Sequence, residues 1–173
     1  MLVKSLIALL ACVAQVHAFI GISIHMYEPA CAYACRAVIA GAMLDCPASH
    51  ADHLQARHGH DTEVTPFCRS HNEPFLSTLA YCINQTCVVD GVVKSDIEHF
   101  WENVATGGDV NDPLPPIWSW AQALDLVKSV PTEEYNSEEE LEETALVPQN
   151  QYYDQFRTLQ NFAAGEGRHT RYR

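Results

Sequence analysis

Basic residues are scarce in this chain of 173 residues: ten Lys and Arg stand against 22 Asp and Glu, for a formal net charge of −12. Such a balance disfavours nucleic acid and anionic lipid surfaces as partners and leaves cationic partners, metal ions among them, open. Beyond the first residues no segment approaches the run of about 18 apolar residues that marks a membrane helix. Strand signals, meaning short alternations of apolar and polar residues, are nearly absent, which turns the fold expectation to all-α. There is no Gly-rich phosphate loop, no G-x-S-x-G turn and no Cys–His pair in a catalytic setting, so the sequence offers no nucleophile and no catalytic residue. Nothing repeats at a fixed period.

What is present begins with MLVKSLIALLACVAQVHA, which has one Lys at position 4, an apolar run from Leu6 to Val16, and Val16 and Ala18 at the small-residue cleavage positions. This is the pattern of a secretory signal peptide over residues 1–18, with cleavage expected after Ala18 and Cys12 lost with it. Six cysteines remain: Cys31, Cys35, Cys46, Cys68, Cys82 and Cys87. An even number in a chain bound for an oxidising compartment reads as a disulfide framework, whose pairing the sequence leaves open. The spacings C-x3-C and C-x4-C fit a zinc site poorly, since that needs paired C-x2-C steps.

Helical periodicity organises most of the rest. From Pro29, the residues Cys31, Cys35, Ile39, Ala42 and Cys46 recur at three-to-four spacing, which predicts one helix carrying three cysteines on one face. EPFLSTLAYCINQTC predicts a second, capped by Asn72 with Pro74 in its first turn, and the cysteines on both apolar faces suggest that the two helices are bonded to each other. Ser95 with Glu98 forms a capping-box pattern ahead of a third helix, with Ile97, Phe100, Trp101 and Val104 as its buried stripe. Ser119 with Gln122 repeats the pattern before WAQALDLVK, and Tyr152, Phe156 and Leu159 lie on one face of a C-terminal helix. The polar stretch 47–66 and the segment 131–148, with seven Glu, read as solvated linkers.

Three sets of residues could carry chemistry. His50, His53, His58 and His60, with Asp52 and Asp61 between them, are ligand types suited to first-row divalent metals such as iron or copper; against that, a floppy polar loop loses conformational entropy on closing over an ion. Asn84-Gln85-Thr86 is an N-glycosylation sequon, which requires Asn84 to face solvent if used. Trp101, Trp118 and Trp120 could form an aromatic ligand surface, but apolar neighbours at helical spacing favour the core.

Taken together, MYEPACAYACR (26–36), MLDC (43–46), FLSTLAYCINQTC (75–87), IEHFW (97–101), PPIWSWAQAL (115–124) and the terminal EGRHTRYR resemble the extracellular N-terminal region of fungal ferric reductase transmembrane components. In that family the ectodomain leads into membrane helices that hold haem on paired histidines, followed by cytoplasmic FAD and NADPH domains; electrons cross the membrane to reduce ferric or cupric ions outside. The resemblance therefore implies an all-α extracellular domain with no cofactor of its own, and ferric or cupric ions as its partners. It also implies that the C-terminal helix leads into a transmembrane segment. A weaker likeness is to the fungal CFEM cysteine module, a helical disulfide basket that in some members binds haem through an Asp. The P-x-C-A-x2-C opening and F-x6-C-x4-C close are similar, but the C-x-C pair and the Asp are missing, so no residue is carried over.

The expected layout is thus a signal peptide (1–18), a disulfide-stapled helical extracellular domain (19–130), an acidic linker (131–150) and a C-terminal helix (151–173). The functional expectation is the extracellular part of a ferric/cupric reductase-like protein. A free secreted binder of metal or haem and a non-catalytic structural or interaction protein are the alternatives.

Overall fold

The computed structural model describes residues 27–46, 64–109, 111 and 113–169, with side chains up to residue 162. The leader and the histidine-rich stretch lie outside the described residues. Among the described residues, six α-helices and one π-helical turn form the regular structure, and β-pairing is limited to two isolated bridges. Three disulfides staple the fold, Cys31–Cys87 and Cys35–Cys82 between helical segments and Cys46–Cys68 between an irregular stretch and a short helix, so the all-α, stapled fold expected from the sequence is the one observed.

Helix α1, Ala30–Ile39, is rich in alanine, the residue that loses least on entering a helix, and buries Cys31, Ala32, Ala34, Cys35 and Ile39. It stops earlier than the periodicity suggests: Cys46 is not on it. Past Ile39 the carbonyls that would continue the ladder are taken by other partners, Ala40 O by Arg69 Nη2 at 2.7 Å and Met43 O by Leu141 N at 2.9 Å. Cys46 instead meets Cys68 on helix α2, Pro66–His71, whose first turn is capped by the Thr65 side chain accepting from Cys68 N. The polar linker expected from the sequence ends at residue 66, and residues 67–71 carry no expected element there.

Helix α3, Glu73–Ile83, is the centre of the domain, with eight buried residues. Asn72 caps it as expected, accepting from Phe75 N at 2.9 Å, and its amide also donates to Asp45 O at 3.1 Å. The helix then widens into a π turn, Asn84–Val88. The disulfides explain why that geometry suits the sequence. In an α-helix residues four apart are offset by about 40°, but residues five apart by about 140°. Cys31 and Cys35 are four apart, whereas Cys82 and Cys87 are five apart. A π turn, with its i→i+5 bonding, absorbs the extra residue and brings Cys82 and Cys87 to one side. Both can then bridge to α1, with Cα–Cα distances of 5.5 and 5.9 Å.

Helix α4, Lys94–Asn103, packs Ile97, Phe100 and Trp101 into the core, as its stripe predicts. Its capping box does not form. The helix starts from Val93, whose carbonyl receives Asp96 N and Ile97 N, and Glu98 pairs with Lys94 at 3.2 Å rather than reaching back to Ser95. The box at Ser119 and Gln122 does form, opening helix α5, Trp120–Asp125. Trp101 is buried and donates its indole N–H to Trp118 O at 2.8 Å, while Trp118 and Trp120 lie half-buried against the core. The core reading of the tryptophans therefore holds.

The acidic segment is not a free linker. Tyr135, Leu141 and Ala145 are buried in the main core. Ala145 N donates to the buried Thr78 hydroxyl at 3.0 Å, Thr144 Oγ1 lies 2.7 Å from Ser77 Oγ, and Tyr135 N and Leu146 O pair at 2.7 Å. Apolar residues spaced among the glutamates tie this strap down the side of α3, although composition alone suggested solvation. The chain then enters helix α6, Gln149–His169, which packs along α1 with Tyr152 buried and Phe156 and Leu159 half-buried; Phe162 is exposed.

Candidate functional site

The strap and the first turn of α3 enclose an open cleft of about 810 Å³. Its floor comes from Glu73, Pro74 and Ser77, and its wall from residues 126–145. Glu73, Glu133, Glu134, Glu139, Glu140, Glu142 and Glu143 line it, with Lys128 as the one cation among the described lining residues. So strong a single-sign lining raises the local concentration of cations through its summed field. It is not a coordination cage: among the described residues no group of three or more His, Cys, Asp or Glu converges closely enough to hold a metal ion. Tyr135, at the base of the strap, is buried, and that burial pushes its phenol pKa upward.

A second polar cluster lies where α1 and α4 end. Arg36 Nε donates to Ala105 O at 3.0 Å, and Arg69 donates to Thr106 O and Ala40 O at 3.3 and 2.7 Å. Cations at the C-terminal ends of helices complement the backbone dipoles there. Burial and the neighbouring Arg69 lower the Arg36 pKa, with Tyr33 opposing them. Gly107, at φ +80°, lets the chain turn against this pair, because a Cβ there would run into the Arg36 guanidinium. These arginines clamp the fold together.

The expected site residues distribute unevenly. His50, His53, His58 and His60 lie outside the described residues. The six cysteines are brought together in three pairs, and none is left as a thiolate ligand or nucleophile. Asn84 sits half-buried in the π turn. Thr86 Oγ1 donates to Cys82 O at 2.8 Å and lies 3.5 Å from Cys35 Sγ.

No family model, no curated protein and no solved structure matches this chain.

The cleft is the feature that sequence reasoning missed. The signal was the spacing of Tyr135, Leu141 and Ala145 through the glutamate run. No helical or alternating period fits those three, so they leave no mark on the periodicity of the sequence. Among the described residues no helix is long and apolar enough to cross a membrane. The three disulfides fit an oxidising compartment, the secretory pathway or the extracellular space.

Proposed function

We propose that the chain is a non-catalytic extracellular domain of a ferric/cupric reductase-like protein, which gathers cationic metal species near the site of their reduction. The observation that carries this reading is the acidic cleft held on a cross-linked helix pair. The segments that carry the family resemblance, CAYACR and AYCINQTC, are the ones joined by Cys31–Cys87 and Cys35–Cys82. The cleft, at the opposite end of α3 from these bridges, presents carboxylates, hard oxygen ligands that suit hard cations. Without a coordination cage, capture is electrostatic, fast in exchange and weakened by salt. Electron transfer would belong to haem, FAD and NADPH parts outside this chain, so the purified chain is expected to leave ferric ion unreduced in the presence of NADPH.

The test is an immunoblot of the native source with an antibody against the acidic strap. A membrane-bound antigen far heavier than the 19.3 kDa of this chain, co-purifying with haem absorbance, supports the ectodomain reading. Antigen found in the medium at the size of the chain itself overturns it. Titration of that secreted material with iron, copper or haem then separates a free binder from a protein with no such ligand.

A further inference from the structure

We propose that Asn84 is an N-glycosylation site open only before the two α1–α3 disulfides close, so that folding itself seals the acceptor. The inference rests on passage through the secretory pathway, and its outcome is independent of the reductase reading.

A usable sequon is ordinarily an exposed loop, because the transferase must grip an extended chain and engage the free Thr hydroxyl. Here the sequon forms the opening of a π turn. Its asparagine is half-buried, and its threonine hydroxyl donates its one proton to the Cys82 carbonyl at 2.8 Å. Cys82 and Cys87 bracket the tripeptide and are tied to Cys35 and Cys31. Freeing Thr86 requires the turn to unwind between two covalent anchors. The reduced nascent chain has none of these restraints, since a helix of this length is marginal in water without tertiary packing.

Two reactions therefore compete for one stretch of chain. In the first, Asn84 Nδ2 attacks the anomeric carbon of a polyprenyl-pyrophosphate-linked oligosaccharide. The C–N bond forms, the C–O bond to pyrophosphate breaks, the lipid pyrophosphate leaves with the electron pair, and one amide proton passes to solvent. In the second, each cysteine pair gives two electrons and two protons to a disulfide of the folding compartment by thiol–disulfide exchange. A glycan added first remains compatible with the fold, because Asn84 keeps part of its surface in solvent and Gln85 is exposed.

The experiment is translation of the full chain into glycosylation-competent microsomes with and without dithiothreitol. Occupancy is read on protease-protected chains as a gel shift removed by endoglycosidase and absent in Asn84→Gln. Occupancy is expected to be partial under oxidising conditions and to rise severalfold with reductant. The same rise is expected, without reductant, in a chain carrying Cys31→Ala, Cys35→Ala, Cys82→Ala and Cys87→Ala together. Cys46→Ala with Cys68→Ala, which opens only the remote bridge, should match the parent. Equal occupancy in all conditions, no occupancy in the reduced chain, or an equal rise in the remote pair would each overturn the proposal.

Discussion

The two α1–α3 bridges should stabilise the domain cooperatively, and the size of that coupling follows from their nesting. Cys31–Cys87 closes a separation of 56 residues and Cys35–Cys82 one of 47. Cys46–Cys68 lies inside both loops and short-circuits 22 residues of each, leaving about 34 and about 25 residues to close. Taken alone, either loop then restricts the unfolded chain by about 3.6 kcal/mol in the chain-entropy model. Once one is closed, however, the other closes only the short ring made of 31–35, 82–87 and the first bridge. A ring of about ten residues contributes roughly 2.7 kcal/mol in the same model. Replacing either pair by alanine should therefore cost about 2.7 kcal/mol, while replacing both should cost about 6.3, roughly 0.9 more than the sum of the two singles. Urea unfolding of the parent, the two pair variants and the fourfold variant, followed by far-ultraviolet circular dichroism, measures the cycle. Single costs of about 3.6 kcal/mol that simply add would show the bridges to act as independent loops and refute the reasoning.

Other expectations follow from single contacts. Asn72→Ala removes the α3 cap and the bond to Asp45 O, and should lower stability by about 1–2 kcal/mol in thermal or urea unfolding, with Asn72→Asp recovering part of the loss. Gly107→Ala should cost more than about 1 kcal/mol, because φ is +80° and a Cβ meets the Arg36 guanidinium; Gly91→Ala, at φ +79° with open space around it, should cost less. Burial raises the phenol pKa values of Tyr33, Tyr135 and Tyr152 above 10.0. The folded state thus holds those protons more tightly than the unfolded chain. Their contribution is complete below about pH 10 and is lost as pH rises through the folded values. Alkaline unfolding should accordingly be less steep in Tyr152→Phe, as a pH titration of the urea midpoint would show.

Much of the helical framework was legible locally. Asn72 before Glu73-Pro74 and Ser119 before Gln122 announce helix starts whose caps form, since a side-chain oxygen and a backbone N–H three residues on need no distant partner. Ser95 carries the same pattern and fails, because the helix starts before it, at Lys94, which puts Ser95 inside the first turn rather than at the cap. The bonding of α1 to α3 was legible as cysteines on two apolar faces, but the pairing was not. Sequence spacing puts Cys87 five positions after Cys82, and only the π turn shows that this step matches the four positions from Cys31 to Cys35. The acidic strap was the least legible part of the candidate site. Charge dominates its composition, and the few apolar residues that bury it act through Ser77, Thr78 and Met43, far away in the chain.

The sequence by itself determined the helical class, the caps of α3 and α5, the charge and the oxidised character of the domain, because each depends on residue type or on neighbours within one turn. The tertiary structure decided where α1 ends, which cysteines pair, and that a run of glutamates is a cleft wall rather than a tether. Those outcomes depend on which carbonyls, hydroxyls and apolar surfaces come within reach only after the chain has folded back on itself.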